Sequence, residues 1–245
     1  LGEESILSGE AHSRADISLP GAQEQLIHLL AKTAKPMILI VMAGRPLTLE
    51  PIIDHVDAIL YAWHPGTMAG TALTDLLFGV VSPSGKLPIT FPRMVGQVPI
   101  YYGKKNTGKP PSAESVVHMN DIAPRAAQTS LGMSAFHLDA GFTPLFPFGF
   151  GLSYTSFAYE NIHLSSPTMN SDGMIAVTVD VINCGEREGQ EVVQLYTRDL
   201  AANVTRPVKE LKQFQKIHLR AGERQQVKFV LKASALAFYD RKMNR

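Results

Sequence analysis

Seven apolar residues in succession, Met37-Ile38-Leu39-Ile40-Val41-Met42-Ala43, follow Lys35-Pro36 and end just before Gly44-Arg45-Pro46. A strand with one wet face alternates apolar and polar residues, whereas an unbroken run this short fits a strand covered on both faces. Such strands belong to parallel sheets flanked by helices, so this run restricts its part of the chain to an α/β architecture. The flanks agree. Between Ala22 and Thr33, after Pro20-Gly21, Leu26, Ile27, Leu29 and Leu30 share one helical face. Leu49, Ile52, Ile53 and Val56 have helical spacing and precede a second apolar run, Ala58-Ile59-Leu60-Tyr61-Ala62-Trp63. A third helix is predicted from Met68 to Phe78, then the turn Ser82-Pro83-Ser84-Gly85 and a short strand from Leu87 to Phe91. The alternation predicts an α/β sandwich, a mostly parallel sheet with helices on both faces, over residues 1–156.

Residues 94–148 break the pattern, being rich in Pro, Gly, Ser and Tyr without a period. They read as a long loop, and the aromatics Tyr101, Tyr102, Phe136, Phe142, Phe146 and Phe148 favour an ordered one. From Phe157 the period becomes two. Ile175, Val177, Val179 and Val181 alternate with Ala176, Thr178, Asp180 and Ile182, and strands are predicted at Glu191 to Thr197, Val208 to Leu219 and Gln225 to Leu231. Turns fall at Cys184-Gly185-Glu186 and Ala221-Gly222-Glu223, which together describe an antiparallel sandwich over 157–245. Tyr196, Phe214, Phe229 and Phe238 are expected in its core, and Cys184 as a small buried hydrophobe. At least one further closing strand is expected, and its absence would leave an edge through which copies of the chain can associate.

Composition narrows the partners. With 23 basic and 22 acidic residues the formal net charge is +1, so no strong field draws the chain to nucleic acid or to an anionic membrane. One cysteine permits no disulfide within the chain, and the 8 histidines show no HxxxH spacing, so neither a metal nor another cofactor is expected. The longest apolar run is too short to cross a bilayer, and no charged-then-apolar leader precedes Leu1. Gly149-Phe150-Gly151 opens no helix and lacks the third glycine of a nucleotide loop, which removes a nucleotide-binding reading.

A series of short motifs then occurs in one order: Gly2-Glu3, Ser8-Gly9-Glu10-Ala11-His12-Ser13-Arg14, Leu19-Pro20-Gly21, Gly44-Arg45-Pro46-Leu47 and Ala62-Trp63-His64-Pro65-Gly66. It continues with Asp75-Leu76-Leu77-Phe78-Gly79, Pro83-Ser84-Gly85-Lys86-Leu87-Pro88, Phe91-Pro92-Arg93, Pro147-Phe148-Gly149-Phe150-Gly151-Leu152-Ser153-Tyr154-Thr155 and Arg206-Pro207-Val208-Lys209-Glu210-Leu211. In this order and spacing the chain resembles the C-terminal portion of glycoside hydrolase family 3, in particular its periplasmic β-glucosidases. The resemblance implies three parts: a catalytic barrel preceding this chain, the α/β sandwich, and a fibronectin type III-like domain, here incomplete at its C-terminal end. It implies a retaining exo-β-glucosidase acting on terminal β-D-glucosyl residues of a β-glucoside or β-linked oligosaccharide, bacterial and periplasmic or secreted. The nucleophilic Asp would come from the barrel and the acid/base Glu from this chain, so the chain alone is expected to be inactive.

Retaining hydrolysis needs two carboxyl groups roughly 5–5.5 Å apart, one attacking the anomeric carbon and one moving the proton. Glu3 is the first candidate for the acid/base and Glu10 the second. The alternative for each is a solvated loop carboxylate or a partner of Arg14. Trp63 ends an apolar strand, where open α/β sheets bind ligands, and with His64 and Arg14 is a candidate for sugar contact. Arg14 and Arg45 could orient the acid loop, with structural salt bridges as the default for both; interface packing is the alternative for Trp63, and a surface or satisfied-core histidine the alternative for His64. The rival to the enzyme reading is a non-catalytic carbohydrate-binding or scaffolding module, although the sandwich shows no pair of aromatics spaced as a sugar platform.

Overall fold

The computed structural model describes residues 1–244. Two units account for the chain: Leu1–Leu73, Pro88–Tyr102 and Thr107–Phe148 form the first, and Thr74–Leu87, Gly103–Asn106 and Gly149–Arg245 the second. In the first, α1 (Gln23–Ala31) buries Ile27 and leads past Pro36 into β1 (Ile38–Val41). β1 pairs in parallel with β2 (Ala58–Tyr61), Ile38 opposite Ala58 and Val41 opposite Tyr61. Single parallel bridges, Gly2 with Met42 and Ser18 with Thr48, extend the pattern. Leu39, Val41, Ala43, Leu47, Leu49, Ile52 and Phe91 are buried and make the core of this unit.

The helix expected over Leu49 to Val56 is a single 3₁₀ turn, Ile53–His55. Two local demands shorten it. Pro51 restricts Glu50 to extended backbone, and Met37 takes the chain back into a ladder at once: its N–H donates to Asp57 Oδ2 at 2.7 Å while the Asp57 N–H donates to Met37 O at 2.9 Å. The strand expected at Leu87 to Phe91 is also absent. The Phe91 N–H donates to Phe146 O at 2.8 Å, and the Leu145 N–H to Phe91 O at 2.9 Å, an antiparallel bridge enclosed by Pro88 and Pro92, which have no N–H to continue a ladder. Among the described residues the parallel sheet therefore has two strands, and there are two α-helices, the second being α2 (Ala69–Leu77).

Residues 94–148 carry three 3₁₀ turns and otherwise irregular backbone. Buried Gln97 accounts for much of their order, accepting from the Arg93 N–H at 2.7 Å and donating to Ala140 O and Thr143 O at 3.2 and 3.3 Å. Arg93 grips both oxygens of Glu50 at 2.7 and 2.8 Å, and Tyr102 stacks on Phe148 with centroids 4.3 Å apart.

In the second unit the period-two segments become strands: β3 (Phe157–Leu164), β4 (Met174–Asn183), β5 (Gly189–Thr197), β6 (Glu210–Leu219) and β7 (Arg224–Lys232). They form two antiparallel sheets, β3-β4-β7 and β5-β6. Val177, Val179 and Val181 of β4, Val193 of β5, Ile217 and Leu219 of β6, and Val227 and Phe229 of β7 share one core. Asn183 sits wholly buried within it. Its Nδ2 donates to Arg187 O at 2.7 Å and Leu219 O at 3.2 Å, and its Oδ1 accepts from Thr155 Oγ1 at 2.5 Å and the Gly185 N–H at 3.1 Å. Every polar atom of the side chain is used, which is the condition for burying an amide at little cost.

Two expectations fail by strand parity. Phe214 is 67% exposed because it shares its side of β6 with Lys216 and His218, opposite the buried Ile217 and Leu219. Cys184 is exposed because Asn183 takes the inward position before it. Phe229 is in the core as expected, while Phe238 is half-buried beneath the Arg206 guanidinium, 4.2 Å from the ring centroid. Leu219→Ala should destabilise this unit by about 2–5 kcal/mol, whereas Leu200→Ala, at a side chain 84% exposed, should cost less than about 0.5 kcal/mol. Urea unfolding followed by far-UV circular dichroism measures both, and equal costs would show that the shared core does not carry the sandwich.

Candidate active site

The site begins with a close backbone approach. The Leu1 nitrogen donates to Ile40 O at 2.8 Å, the Met42 N–H to Leu1 O at 2.8 Å, and the Glu3 N–H to Met42 O at 2.9 Å. Gly2 lies between them at φ +136°, and a Cβ there would fall 1.8 Å from Met42 O, so only glycine fits. Gln23, the first residue of α1, closes the arrangement with both ends of its amide, at 2.7 Å from the Gly2 N–H and 2.8 Å from Gly2 O. Glu3 is thereby delivered to the carboxyl end of β1.

Its side chain has no exposed surface. Oε1 accepts from Arg14 Nη1 at 2.6 Å and from Arg45 Nη1 at 2.9 Å, while Oε2 is buried with no hydrogen bond among the described residues. The guanidinium groups reach onward to backbone. Arg45 Nη1 donates also to Leu7 O at 2.6 Å and its Nη2 to His12 O, and Arg14 Nη2 donates to Ser18 O at 3.1 Å. A segment with no ladder of its own has its carbonyls satisfied by two side chains.

Glu10 occupies the middle of that segment and is exposed. The His12 N–H donates to Gly9 O at 3.2 Å, closing a turn with Glu10 and Ala11 at its centre. Ala11 has φ +61°, an uncommon backbone for a residue with a Cβ. Among the described residues no hydrogen bond or ion pair engages the Glu10 carboxylate.

At the end of β2 the aromatics meet edge to face: Tyr61 with Trp63 at 4.8 Å, and both with Phe91 at 4.9 and 5.8 Å. Trp63 is half-buried with φ +55°. His64 is exposed, its Nε2 lying 3.3 Å from Ser8 Oγ. Gly44 admits this pair, since a Cβ there would lie 2.6 Å from His64 Nε2 and 2.8 Å from Ser8 Oγ. Glu3 and Arg14 thus join one network, His64 meets the Glu10 loop through Ser8, and Trp63 packs on aromatics. Among the described residues no group of three His, Cys, Asp or Glu could hold a metal ion, and no helix is long and apolar enough to cross a membrane.

Tyr61 was not singled out in the sequence, though a phenol inside an apolar strand demands a polar partner. Its Oη donates to Arg45 O and accepts from the Leu47 N–H at 3.3 Å, fixing the backbone from which Arg45 extends. Burial pushes this phenol up to about 12, with the Leu47 N–H opposing and the Glu3 charge adding to the shift.

Residues 1–154 match the family described as the glycosyl hydrolase family 3 C-terminal domain. The chain belongs to that family. Residues 191–245 match the fibronectin type III-like domain. Among family 3 relatives, a periplasmic β-glucosidase of Salmonella typhimurium is 45% identical over 99% of this chain and 30% of its own length. A β-xylosidase of Formosa agariphila is 40% identical over 91% of this chain and 28% of its own. A β-glucosidase of Listeria innocua, solved in complex with glucose, superposes with a TM-score of 0.90 at 37% identity over 100% of this chain and 32% of that one. The chain therefore spans less than a third of the length of these relatives. Every residue of the Glu3 network falls within the family 3 match.

The Tyr61 shift sets an alkaline limit on this unit. Because the folded value lies above the ordinary phenol value of 10.0, the stabilisation is complete below pH 10 and lost as pH rises towards 12. The stability difference between wild type and Tyr61→Phe, from urea unfolding, should be constant up to pH 10 and then move by about 2 kcal/mol in favour of the variant. A difference unchanged across that window would mean that the phenol is not held neutral by the fold.

Proposed function

We propose that this chain is the acid/base-bearing part of a retaining exo-β-glucosidase of glycosyl hydrolase family 3, with Glu10 as the acid/base and the nucleophilic Asp in a barrel domain outside this chain. The observation that carries the assignment is the contrast between the two carboxylates. The Glu3 side chain is fully buried and accepts from two guanidinium groups through one oxygen, which leaves it no exposed surface to offer a sugar. Glu10 is exposed at the tip of a turn whose flanking carbonyls are held. The order of candidates drawn from the sequence, Glu3 before Glu10, is therefore reversed in this reading.

The chemistry follows from the two carboxyl groups. As the nucleophile attacks the anomeric carbon, Glu10 delivers its proton to the departing glycosidic oxygen, and the glycosyl-enzyme forms. Glu10, now a carboxylate, takes a proton from water, whose oxygen attacks the same carbon and releases the sugar with retention. The names of several relatives support a β-D-glucoside, or a β-linked oligosaccharide ending in one, as substrate, and a β-xyloside is the competing class. Trp63 and His64 are proposed to line the sugar side, and Arg14 acts from behind the loop. The two-stranded parallel sheet is read as part of an α/β sandwich with helices on both faces, in a periplasmic or secreted bacterial protein that does not bind nucleic acid or membrane and can self-associate.

The test uses the whole enzyme containing this chain. Glu10→Gln should slow turnover by about 10²–10⁴-fold on β-glucosides with poor leaving groups and far less on activated aryl glucosides, with azide restoring part of the activated rate. Glu3→Gln should instead lower the unfolding midpoint. Should Glu3→Gln give the acid-loss pattern in a fully stable protein while Glu10→Gln stays near wild type, the two roles exchange. The 245-residue chain alone should not turn over an aryl β-glucoside, and a rate near that of the whole enzyme would refute the divided site.

A further inference from the structure

We infer that Arg45 is a positioning residue for Glu10, a clasp that sets where the acid loop stands; this rests on reading Glu10 as the acid/base. The two carbonyls that Arg45 binds belong to Leu7 and His12, one on each side of the four residues 8–11. One planar guanidinium thus fixes the separation of the two ends of a short segment with Glu10 inside it. The other hydrogen bonds of the segment are local: Ser8 N–H to Ser5 O at 3.2 Å and His12 N–H to Gly9 O at 3.2 Å. The Ser8–His64 contact at 3.3 Å adds one side-chain tie. These shape the turn, but they do not fix it to β1, from whose end Arg45 extends.

Arg45 is itself held at two points and is mostly buried. Glu3 Oε1 accepts from its Nη1 at 2.9 Å, Tyr61 Oη donates to its carbonyl oxygen, and its side chain is 19% exposed. Glu3 also takes Arg14 at 2.6 Å, and Arg14 holds Ser18 O, where the segment rejoins the parallel bridge to Thr48. The buried carboxylate therefore sets two cations at two stations along the loop. Ala11 at φ +61° leaves this turn dependent on being held, since an alanine does not choose that backbone unaided. A lysine at position 45 offers one point charge where the clasp uses two nitrogens on three acceptors.

A clasp acts only through what it positions, so its effect must depend on Glu10. In the whole enzyme, Arg45→Ala should lower kcat by about 10–100-fold on a β-glucoside with a poor leaving group, with a smaller change in KM and a smaller loss on an activated aryl glucoside. In the Glu10→Gln background the same change should cost less than about 3-fold, because the proton it positioned is already gone. Equal losses in the two backgrounds would overturn the clasp and make Arg45 merely structural. If Glu10→Gln alone shows no leaving-group dependence, the acid/base reading fails first and the clasp with it, which separates the two failures. Should Arg45→Ala not fold, as judged by near-UV circular dichroism, Arg45→Lys decides the cycle by the same criterion.

Discussion

The first unit turns on one carboxylate oxygen. Glu3 Oε1 accepts from two guanidinium groups in a place where the side chain has no exposed surface. Burying a carboxylate is unfavourable by several kcal/mol unless opposite charge and hydrogen bonds meet it, and replacing only one partner of such a group leaves the others uncompensated. The arrangement is therefore all or nothing. Gly2 must lack a side chain so that Glu3 can reach the end of β1, Gln23 must close on the Gly2 peptide, and both arginines must arrive from distant parts of the chain. Once they have arrived, their remaining donors face outward to the carbonyls of Leu7, His12 and Ser18. A buried charge is converted in this way into a fixed loop.

How much of this was legible in the sequence depends on the range of the forces involved. The run at Met37 to Met42 and the helix before it were readable as elements because their apolar patterns are local, but the burial expected of them is found only in part: Leu39 and Val41 of β1 and Ile27 of α1 are buried, whereas Ile38, Met42, Leu26, Leu29 and Leu30 are exposed. The alternation in β4 and β7 was readable for the same reason, to within a residue or two at the ends. The helix expected after Leu49 failed because hydrophobic spacing there was overruled by Pro51 and by the pairing of Met37 with Asp57, twenty residues away. The strand expected at Leu87 to Phe91 failed because its partner is the segment around Phe146, which the sequence showed only as loop. Phe214 was misplaced although it shares its strand parity with the polar Lys216 and His218.

The site divides along the same line. Glu3, Glu10, Arg14, Trp63 and His64 were singled out by resemblance, and all five lie within the residues that match the family. Which glutamate faces solvent was not, since both lie in short glycine-preceded loop segments with an arginine near in sequence or space. Burial and pairing separate them: one is enclosed by Arg14 and Arg45, the other is left clear at the tip of a turn. Tyr61 is a milder case. A phenol in an apolar strand signalled a buried polar contact, but only the fold supplied its partner, the carbonyl of Arg45.

The same physical device appears in the second unit with a different result. Glu191, also buried, accepts from Lys86 Nζ at 3.0 Å and from Tyr159 Oη at 3.0 Å, while Lys86 donates also to Gly151 O at 2.8 Å. Burial, with Glu191 beside it, pushes the Tyr159 phenol upward, as burial does for Tyr61. Here the cation reaches a single carbonyl, in the Gly149–Leu152 segment, and no exposed carboxylate lies between held points. In the first unit the arginines reach three carbonyls along one segment, two of them enclosing Glu10. A lysine bridging to one carbonyl anchors a strand of backbone at a point, and a rigid guanidinium bridging to two sets a distance. The turn that carries the exposed Glu10 is thereby given a set distance between its two ends, built from the backbone acceptors Leu7 O and His12 O and not from the side chains between them.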